Sequence, residues 1–354
     1  MSRRKKPRDP GSLFGGCMVP FTPEGPTRRE LLTPKTPPGR DPFRIDGPAL
    51  VHVSGGRTSA MMLKRIIDAH GGTLPADVVP VFANTGLERE ETLRFVAEFA
   101  ARWGVVVRWV EWDGTGPKSA RFCEVDYDSA SRNGEPFEAL IRAKRYLPNS
   151  DTRLCTQTLK IETAADFGTS LGFEEHEDVI GLRYDEPQRV VNLRTREVEK
   201  ADRSISLPLH DARVTKADVA AFWSAQPFDL ALEPWESNCS ACFLKPLPVR
   251  ARVAKEHPEL FARWVELEAL ASELTGTDAR FRAHQPAYRV IAERVALQVV
   301  PPEWEADAER DESLCTRCTD RRRRRCDCRR LLGRRGHTLA CLDARGRLDQ
   351  PRAA

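Results

Sequence analysis

Short apolar runs alternate with helical patterns over much of this chain. Four of these runs are nearly continuous, which is typical of strands that are buried on both faces of a parallel sheet. They lie at residues 49–53, 78–83, 105–112 and 178–182. Helical spacing begins at Ala60 and again at Leu93. The pattern predicts the α/β fold class, with a Rossmann-like parallel sheet that carries helices on both faces.

Composition divides the chain into four regions. Residues 1–45 are rich in Pro, Gly, Arg and Lys and poor in apolar side chains, which predicts a mostly disordered basic arm. The α/β domain is expected over residues 46–248. Apolar positions at helix-like intervals predict a helical extension over residues 249–305, and residues 306–354 form a tail rich in Cys and Arg.

A glycine turn joins the first predicted strand to the first predicted helix. It reads Ser54-Gly55-Gly56-Arg57-Thr58-Ser59. Both glycines can adopt positive φ, so successive N–H groups can point at one spot, and the helix that follows directs its positive end there. Three hydroxyl groups and one arginine in the segment add further donors. The segment is either a phosphate-binding loop or a plain strand-to-helix turn.

Three further segments follow apolar runs or precede helical patterns. They are Asn84-Thr85-Gly86 with Glu91-Thr92, Gly181-Leu182-Arg183 with Arg189, and Pro208-Leu209 with Asp218-Val219. Because ligands of open α/β sheets bind outside the carboxyl ends of the strands, we expect these segments and the glycine turn to converge on one cleft.

Taken in this order, the four segments resemble motifs of the adenine-nucleotide-binding PP-loop superfamily, and within it the phosphoadenosine phosphosulfate (PAPS) reductase family, over roughly residues 46–245. The resemblance implies the fold known as adenine nucleotide alpha hydrolase-like. It also implies that ATP or PAPS is held by residues 54–59 together with Asn84, Thr85, Gly86 and Gly181.

Charged side chains of the expected cleft suggest roles in catalysis. Arg183, Arg189 and Lys160 would stabilise charge that develops on a phosphate or on an attached sulfate. Glu88 or Asp185 would coordinate Mg²⁺, because hard cations prefer oxygen ligands. Each of these side chains has an alternative interpretation as a solvated loop residue.

The ten cysteines of the chain predict metal or redox chemistry rather than a disulfide framework, provided that the protein is cytoplasmic. A cytoplasmic location is expected because no apolar run approaches the roughly 20 residues that cross a bilayer. The basic N-terminus also lacks the apolar stretch of a secretory signal.

One cysteine group consists of Cys155, Cys239 and Cys242, and Arg153 and Lys160 near Cys155 are expected to lower the pKa of its thiol. The arrangement resembles members of the PAPS reductase family that carry a 4Fe-4S cluster, which implies such a cluster here. Cys123 is the candidate for a fourth ligand, unless the fourth iron is left open. A zinc site and unrelated buried thiols remain alternatives.

A second group comprises Cys315, Cys318, Cys326 and Cys328, with a run of arginines between the two pairs. The spacing predicts a small zinc knot, and the alternative is a disordered basic tail. The net charge of the whole chain is only +4, so any affinity for nucleic acid would have to come from this local patch.

Two enzymatic functions fit these features. In the first, ATP adenylates a nucleic-acid or small-molecule acceptor, and sulfur from a sulfur donor protein then displaces AMP. In the second, PAPS or adenylylsulfate is reduced by an electron donor protein and sulfite is released. We place sulfur transfer slightly ahead, because the chain lacks the Glu-Cys-Gly-Leu-His segment that carries the nucleophilic cysteine of PAPS reductases. A nucleotide- or nucleic-acid-binding module without catalysis is a third possibility.

Overall fold

The computed structural model describes residues 25–114, 116–117, 120–200 and 204–305. The predicted zinc knot of Cys315, Cys318, Cys326 and Cys328 lies outside this range, as do residues 1–24 of the predicted arm. Within the described ranges, no helix is both long and apolar enough to cross a membrane.

Six strands of the described chain form one sheet in the order β4-β3-β2-β1-β5-β6. They are β1 (Ala49–His52), β2 (Val78–Asn84), β3 (Arg108–Trp112), β4 (Phe122–Val125), β5 (Glu177–Ile180) and β6 (Ser204–Ser206). Neighbouring strands are parallel except for β3 and β4, which are antiparallel. The α/β class predicted from the apolar runs is confirmed; β4 and β6 have no such run and were not predicted.

Nine α-helices of the described chain precede Cys239. The first five are α1 (Arg28–Leu32), α2 (Arg57–Ala69), α3 (Glu90–Trp103), α4 (Glu135–Lys144) and α5 (Leu154–Thr156). A π-helical segment (Gln157–Glu162) then leads into α6 (Thr163–Ser170), α7 (Pro187–Lys200), α8 (Pro208–Asp211) and α9 (Lys216–Ser224). The C-terminal helices are α10 (Leu247–Glu256), α11 (Pro258–Thr275), α12 (Tyr288–Ala296) and α13 (Pro302–Glu305).

Apolar side chains of β1 alternate between two layers, as the pleat of a strand requires. Ala49 and Val51 pack in the layer that α2, α3 and α9 cover, whereas Leu50 packs in the opposite layer with Phe167 of α6. The sheet is therefore covered by helices on both faces, as predicted.

The strand order reverses at β1, because β2 and β3 follow on one side of it and β5 lies on the other. The loops after β1 and β5 leave the sheet in the gap that this reversal creates. In open α/β sheets that gap is the usual ligand site, so the fold places residues 54–59 and 181–183 where a ligand is expected.

A second apolar core joins the helical extension to the rest of the protein. One buried cluster contains Phe137 of α4, Trp264 of α11 and Tyr288 of α12, together with the loop residues Phe243 and Phe281. The rings of Phe281 and Tyr288 lie 4.9 Å apart between centroids. Residues 249–305 contain most of α10 and all of α11, α12 and α13, with loops at 276–287 and 297–301. The boundary drawn at residue 248 crosses this continuous core.

The prediction of disorder is wrong for residues 25–45. Thr27 and Glu30 form a reciprocal cap at the start of α1, and Phe43 and Ile45 are buried in the core, with 7% and 3% of their surface exposed. Composition alone misled here, because a few apolar side chains at the right positions are enough to dock a segment whose polar groups also find partners.

Those partners centre on the buried carboxylate of Asp211. It accepts hydrogen bonds from the backbone of Lys35 (3.0 Å) and Thr36 (2.9 Å) and from the Thr36 hydroxyl. Burial alone would raise the pKa of Asp211, but its hydrogen bonds with His210 and Thr36 and the charge of Arg194 lower it to about 2.

We predict that Asp211→Asn lowers the free energy of unfolding by about 2 kcal/mol at neutral pH. The folded-state pKa lies below the reference value of 3.8, so this stabilisation is present above about pH 4 and is lost as the pH falls toward about 2. Urea unfolding at several pH values measures the difference. Asp46→Asn serves as the control, because Asp46 forms an ion pair with Arg40 and its side chain is 74% exposed. If the difference in the free energy of unfolding between Asp211→Asn and the wild type did not depend on pH, the prediction would be contradicted.

Candidate functional site

The glycine turn after β1 is shaped for glycine. Gly55 has φ +74°, and a Cβ atom there would lie 2.4 Å from Cγ2 of Thr92, closer than two carbon atoms can approach. Gly56 caps α2 without a side-chain hydrogen bond, and the first N–H groups of a helix have no partner within the helix. The turn therefore presents backbone donors and the positive end of α2 at the point where the strand order reverses.

The side chains of Ser59 and Arg57 have hydrogen-bond partners within the protein. Ser59 is buried, and its hydroxyl accepts from the N–H of Ser54 (3.0 Å) and donates to the carbonyl of Gly56 (3.1 Å), so it closes the loop. Arg57 forms a two-pronged ion pair with Asp229, at 2.6 and 2.7 Å. Its charge is thus directed toward Asp229, although the sequence predicted a contact with the nucleotide.

Arg183 reaches the glycine turn from β5. Its Nη1 lies 3.3 Å from the Thr58 hydroxyl, its Nε donates to Asp185 at 2.9 Å, and 15% of the side chain is exposed. The backbone of Gly181 packs against α2, where an added Cβ would lie 3.4 Å from the Cα of Ser59. The structure therefore brings Arg183 and Gly181 to the predicted phosphate loop.

Arg189 occupies a different position. Its side chain is 61% exposed and forms an ion pair with Glu186, which also accepts the backbone N–H of Arg183 at 3.0 Å. Arg189 thus contacts the base of the β5 loop, and no described contact joins it to residues 54–59.

The loop after β2 is held by buried polar groups. Asn84 donates to Glu111 at 2.6 Å and accepts from the N–H of Gly86 at 3.1 Å. The backbone and hydroxyl of Thr85 both donate to Glu88. Asn84 and Thr85 are only 0% and 1% exposed, so in this conformation their side chains stabilise the loop through buried hydrogen bonds. The sequence had predicted that they bind the nucleotide.

The segment that contains Cys239 is hydrogen-bonded to the glycine turn after β1 and to the loop after β2. The Asn238 side-chain amide donates to the backbone carbonyl of Ser54 at 2.7 Å, and the backbone carbonyl of Asn238 accepts from the N–H of Arg89 at 2.7 Å. The N–H of Ser240 donates to the carbonyl of Leu87 at 2.8 Å. Cys239 is therefore fixed beside the glycine turn and the β2 loop at once.

The C-terminal helices hold the same segment from the other side. The indole N–H of Trp264 donates to the Ser240 hydroxyl at 2.9 Å, and the Tyr288 hydroxyl donates to the carbonyl of Ala241 at 2.8 Å. Both aromatic side chains are 1% exposed. The turn from Cys239 to Cys242 thus lies between the sheet loops and the second core.

Cys155, Cys239 and Cys242 are grouped closely enough that their charges act on one another. Burial is the largest cause that raises the pKa of each thiol, and the carboxylate of Glu88 raises that of Cys239 further. The expected lowering of the Cys155 pKa is wrong, because burial outweighs the charges of Lys160 and Arg153.

Lys160 belongs to this cysteine group. Its ammonium lies 3.1 Å from Glu88, in the π-helical segment that follows Cys155. Burial would lower the pKa of Lys160, but Glu88 and the nearby thiols raise it. Nothing in the sequence predicted the π-helical turn, the Glu88 ion pair or the position of Asn238, although Asn238 is adjacent to the first cysteine of the pair.

Cys123 is placed elsewhere. It lies on the edge strand β4, is exposed, and the charges that act on its thiol are those of Glu111 and Asp113. The structure thus groups three of the four cysteines proposed as cluster ligands and leaves Cys123 outside.

No three Cys, His, Asp or Glu side chains in the described part of the chain are arranged to hold a metal ion as they stand. Three thiols nevertheless converge, which is the donor chemistry of thiolate-bound metals. The cysteine group fits a metal centre by composition and position rather than by preformed coordination.

Both carboxylates considered for Mg²⁺ have protein partners. Glu88 binds Thr85 and Lys160, and Asp185 accepts from Arg183 and from the N–H of Lys216. Neither of these two carboxylates is therefore without a protein partner in this structure.

Comparison with known proteins finds two relatives from bacteriophages, and no model of a known protein family matches the chain. The chain is 28% identical over 202 residues to the "Uncharacterized nin region protein ORF290" of Escherichia phage lambda, a match that covers 55% of this chain and 66% of that protein. It is 27% identical over 253 residues to the "Uncharacterized 37.8 kDa protein in gpa 5'region" of Escherichia phage 186, over 63% of this chain and 73% of that protein.

Glu88→Gln should increase the rate at which iodoacetamide alkylates Cys239. Removing the carboxylate removes the main charge that raises the pKa of this thiol, and the thiolate is the reactive form. Peptide mass spectrometry on chelator-treated protein at mildly alkaline pH measures the rate for each cysteine. Glu98→Gln, at an exposed ion pair on α3, is the control. Equal Cys239 rates in both variants would rule out the assigned contact.

Proposed function

We propose that this protein is an adenine-nucleotide-dependent enzyme of sulfur chemistry in the PAPS reductase family. The observation that carries the proposal is the bonding of residues 238–240 to both sheet loops. It brings three thiols next to a turn whose backbone N–H groups have the geometry that phosphate binding requires. A nucleotide and a sulfur-binding centre would then share one cleft.

The nucleotide would be ATP, held by the N–H groups of residues 55–59 and by the positive end of α2. Arg183 would stabilise the charge that develops as an acceptor oxygen attacks the α-phosphorus and pyrophosphate leaves. A sulfur nucleophile from a donor protein would then replace the activated oxygen, which departs with AMP. Neither step changes the oxidation state of sulfur if the donor supplies it as sulfide.

Cys155, Cys239 and Cys242 would hold a 4Fe-4S cluster, which would supply a binding site for sulfur or electrons. The raised pKa values of these thiols mean that they are protonated at neutral pH in the absence of a metal, and a bound metal would convert them to thiolates. Lys160 would partly neutralise the charge of the resulting thiolates.

The acceptor is a nucleic acid or a small molecule in this proposal. Nucleic-acid binding would involve the arginine-rich residues beyond the described part of the chain, through contacts with phosphates.

A second candidate is reduction of PAPS or adenylylsulfate to sulfite. It is favoured by Arg57-Thr58, which replaces the Lys-Asp pair usual in loops of this superfamily that use ATP. Product analysis separates the candidates, since sulfur transfer releases AMP and pyrophosphate whereas reduction releases sulfite. A module that only binds nucleotide would release none of these.

Anaerobically purified protein should contain about four irons and four acid-labile sulfides per chain. The Cys239→Ala, Cys242→Ala double variant should lose both, because two of the ligands are gone. Cys123→Ala is the matched control and should keep them, since Cys123 lies outside the group. Zinc alone, or no metal in the wild-type protein, would overturn the cluster. Loss of iron in the Cys123 variant would contradict the conclusion that Cys123 is not a ligand.

Gly55→Ala should weaken ATP or PAPS binding by about tenfold or more, because the new methyl group collides with Thr92 and distorts the turn. Isothermal titration calorimetry measures the affinity. Gly71→Ala is the matched control, since Gly71 also has positive φ (+73°) but has no atom within 4 Å of an added Cβ. Unchanged affinity in both variants would refute nucleotide binding by this turn.

A further inference from the structure

A small cavity lies between the turn from Cys239 to Cys242 and helix α10. Its volume is about 10 Å³, which is at the lower end of the space that one water molecule needs. Cys242, Trp235, Glu236 and Arg250 are among the residues that line it. None of residues 54–59 lines this cavity.

Two buried N–H donors of the lining have no acceptor in the described part of the protein. Arg250 is 1% exposed, and its Nε and Nη2 donate to the carbonyl of Lys245 and to Gln285, but its Nη1 has no hydrogen-bond partner. The indole N–H of Trp235, which is 8% exposed, is also unpaired. Each such donor costs on the order of 1–3 kcal/mol if nothing binds it.

An acceptor lines the same cavity. Oε1 of Glu236 lies 2.7 Å from Nη1 of Arg89 and 3.2 Å from Nε2 of His257. Neither contact has the angles of a hydrogen bond, so this buried oxygen lies near two side-chain nitrogens but accepts a hydrogen bond from neither.

We propose that this cavity binds one water molecule, which accepts hydrogen bonds from Trp235 and Arg250 and donates one to Glu236. The size of the cavity admits no larger ligand, and the polar groups match the two to four partners that buried waters have. A carboxylate in the lining disfavours an anion of the same size. The water would stabilise the cysteine turn from the side opposite the sheet loops, whatever reaction the protein catalyses.

A high-resolution crystal structure of the full chain tests the assignment. The expected result is one ordered water peak within hydrogen-bonding distance of both donors. Direct pairing of the two donors with protein acceptors would overturn the proposal, and so would a cavity without density. Crystals soaked in bromide provide the third outcome, because an anomalous peak in the cavity would identify an anion site instead.

Two matched variants test the same point in solution. Trp235→Phe removes a donor that has a water partner, and we expect the Tm to fall by about 2–4 °C. Trp112→Phe removes another buried and unpaired indole N–H, from a residue that does not line this cavity, and should leave the Tm unchanged or higher. Equal Tm shifts in the two variants would contradict the water site. Neither readout depends on nucleotide binding or catalysis, so its failure would leave the proposed function untouched.

Discussion

The hydrogen bonds that residues 238–240 make with two sheet loops are the constraint on which the rest of the site depends. Asn238 bonds Ser54 through its side chain and Arg89 through its carbonyl, and Ser240 bonds Leu87. A single short segment thus fixes the distance between the glycine turn and the thiols. Without these bonds, the glycine turn and the cysteines would be separate features of the fold.

The C-terminal helices hold that segment in place. Trp264 and Tyr288 each contribute one buried hydrogen bond to the turn between the cysteines, and their rings belong to the core that also contains Phe137. Since this core is continuous with the domain that carries the sheet, the helices do more than extend the chain. They form the second wall of the candidate site, which explains why a boundary at residue 248 is not a structural one.

The sequence was informative where local physics decides the outcome. Buried parallel strands must be apolar, and Gly55 must be glycine, so four of the six strands and the turn could be predicted from local sequence. Contacts between distant segments could not: the burial of Asn84 against Glu111, the ion pair of Lys160 with Glu88 and the docking of Phe43 all depend on how separate elements pack. The likeness of Asn84 and Thr85 to a nucleotide-binding motif did not reveal that both side chains are buried.

The central claim is that the thiols and the phosphate loop form one site. Diffraction at the iron absorption edge tests it most directly, using anaerobic crystals that contain a non-hydrolysable ATP analogue. The account predicts iron among Cys155, Cys239 and Cys242 and phosphates against the N–H groups of residues 55–59, in one continuous cleft. Iron without a nucleotide at the turn, or a nucleotide with no iron at these cysteines, would contradict it.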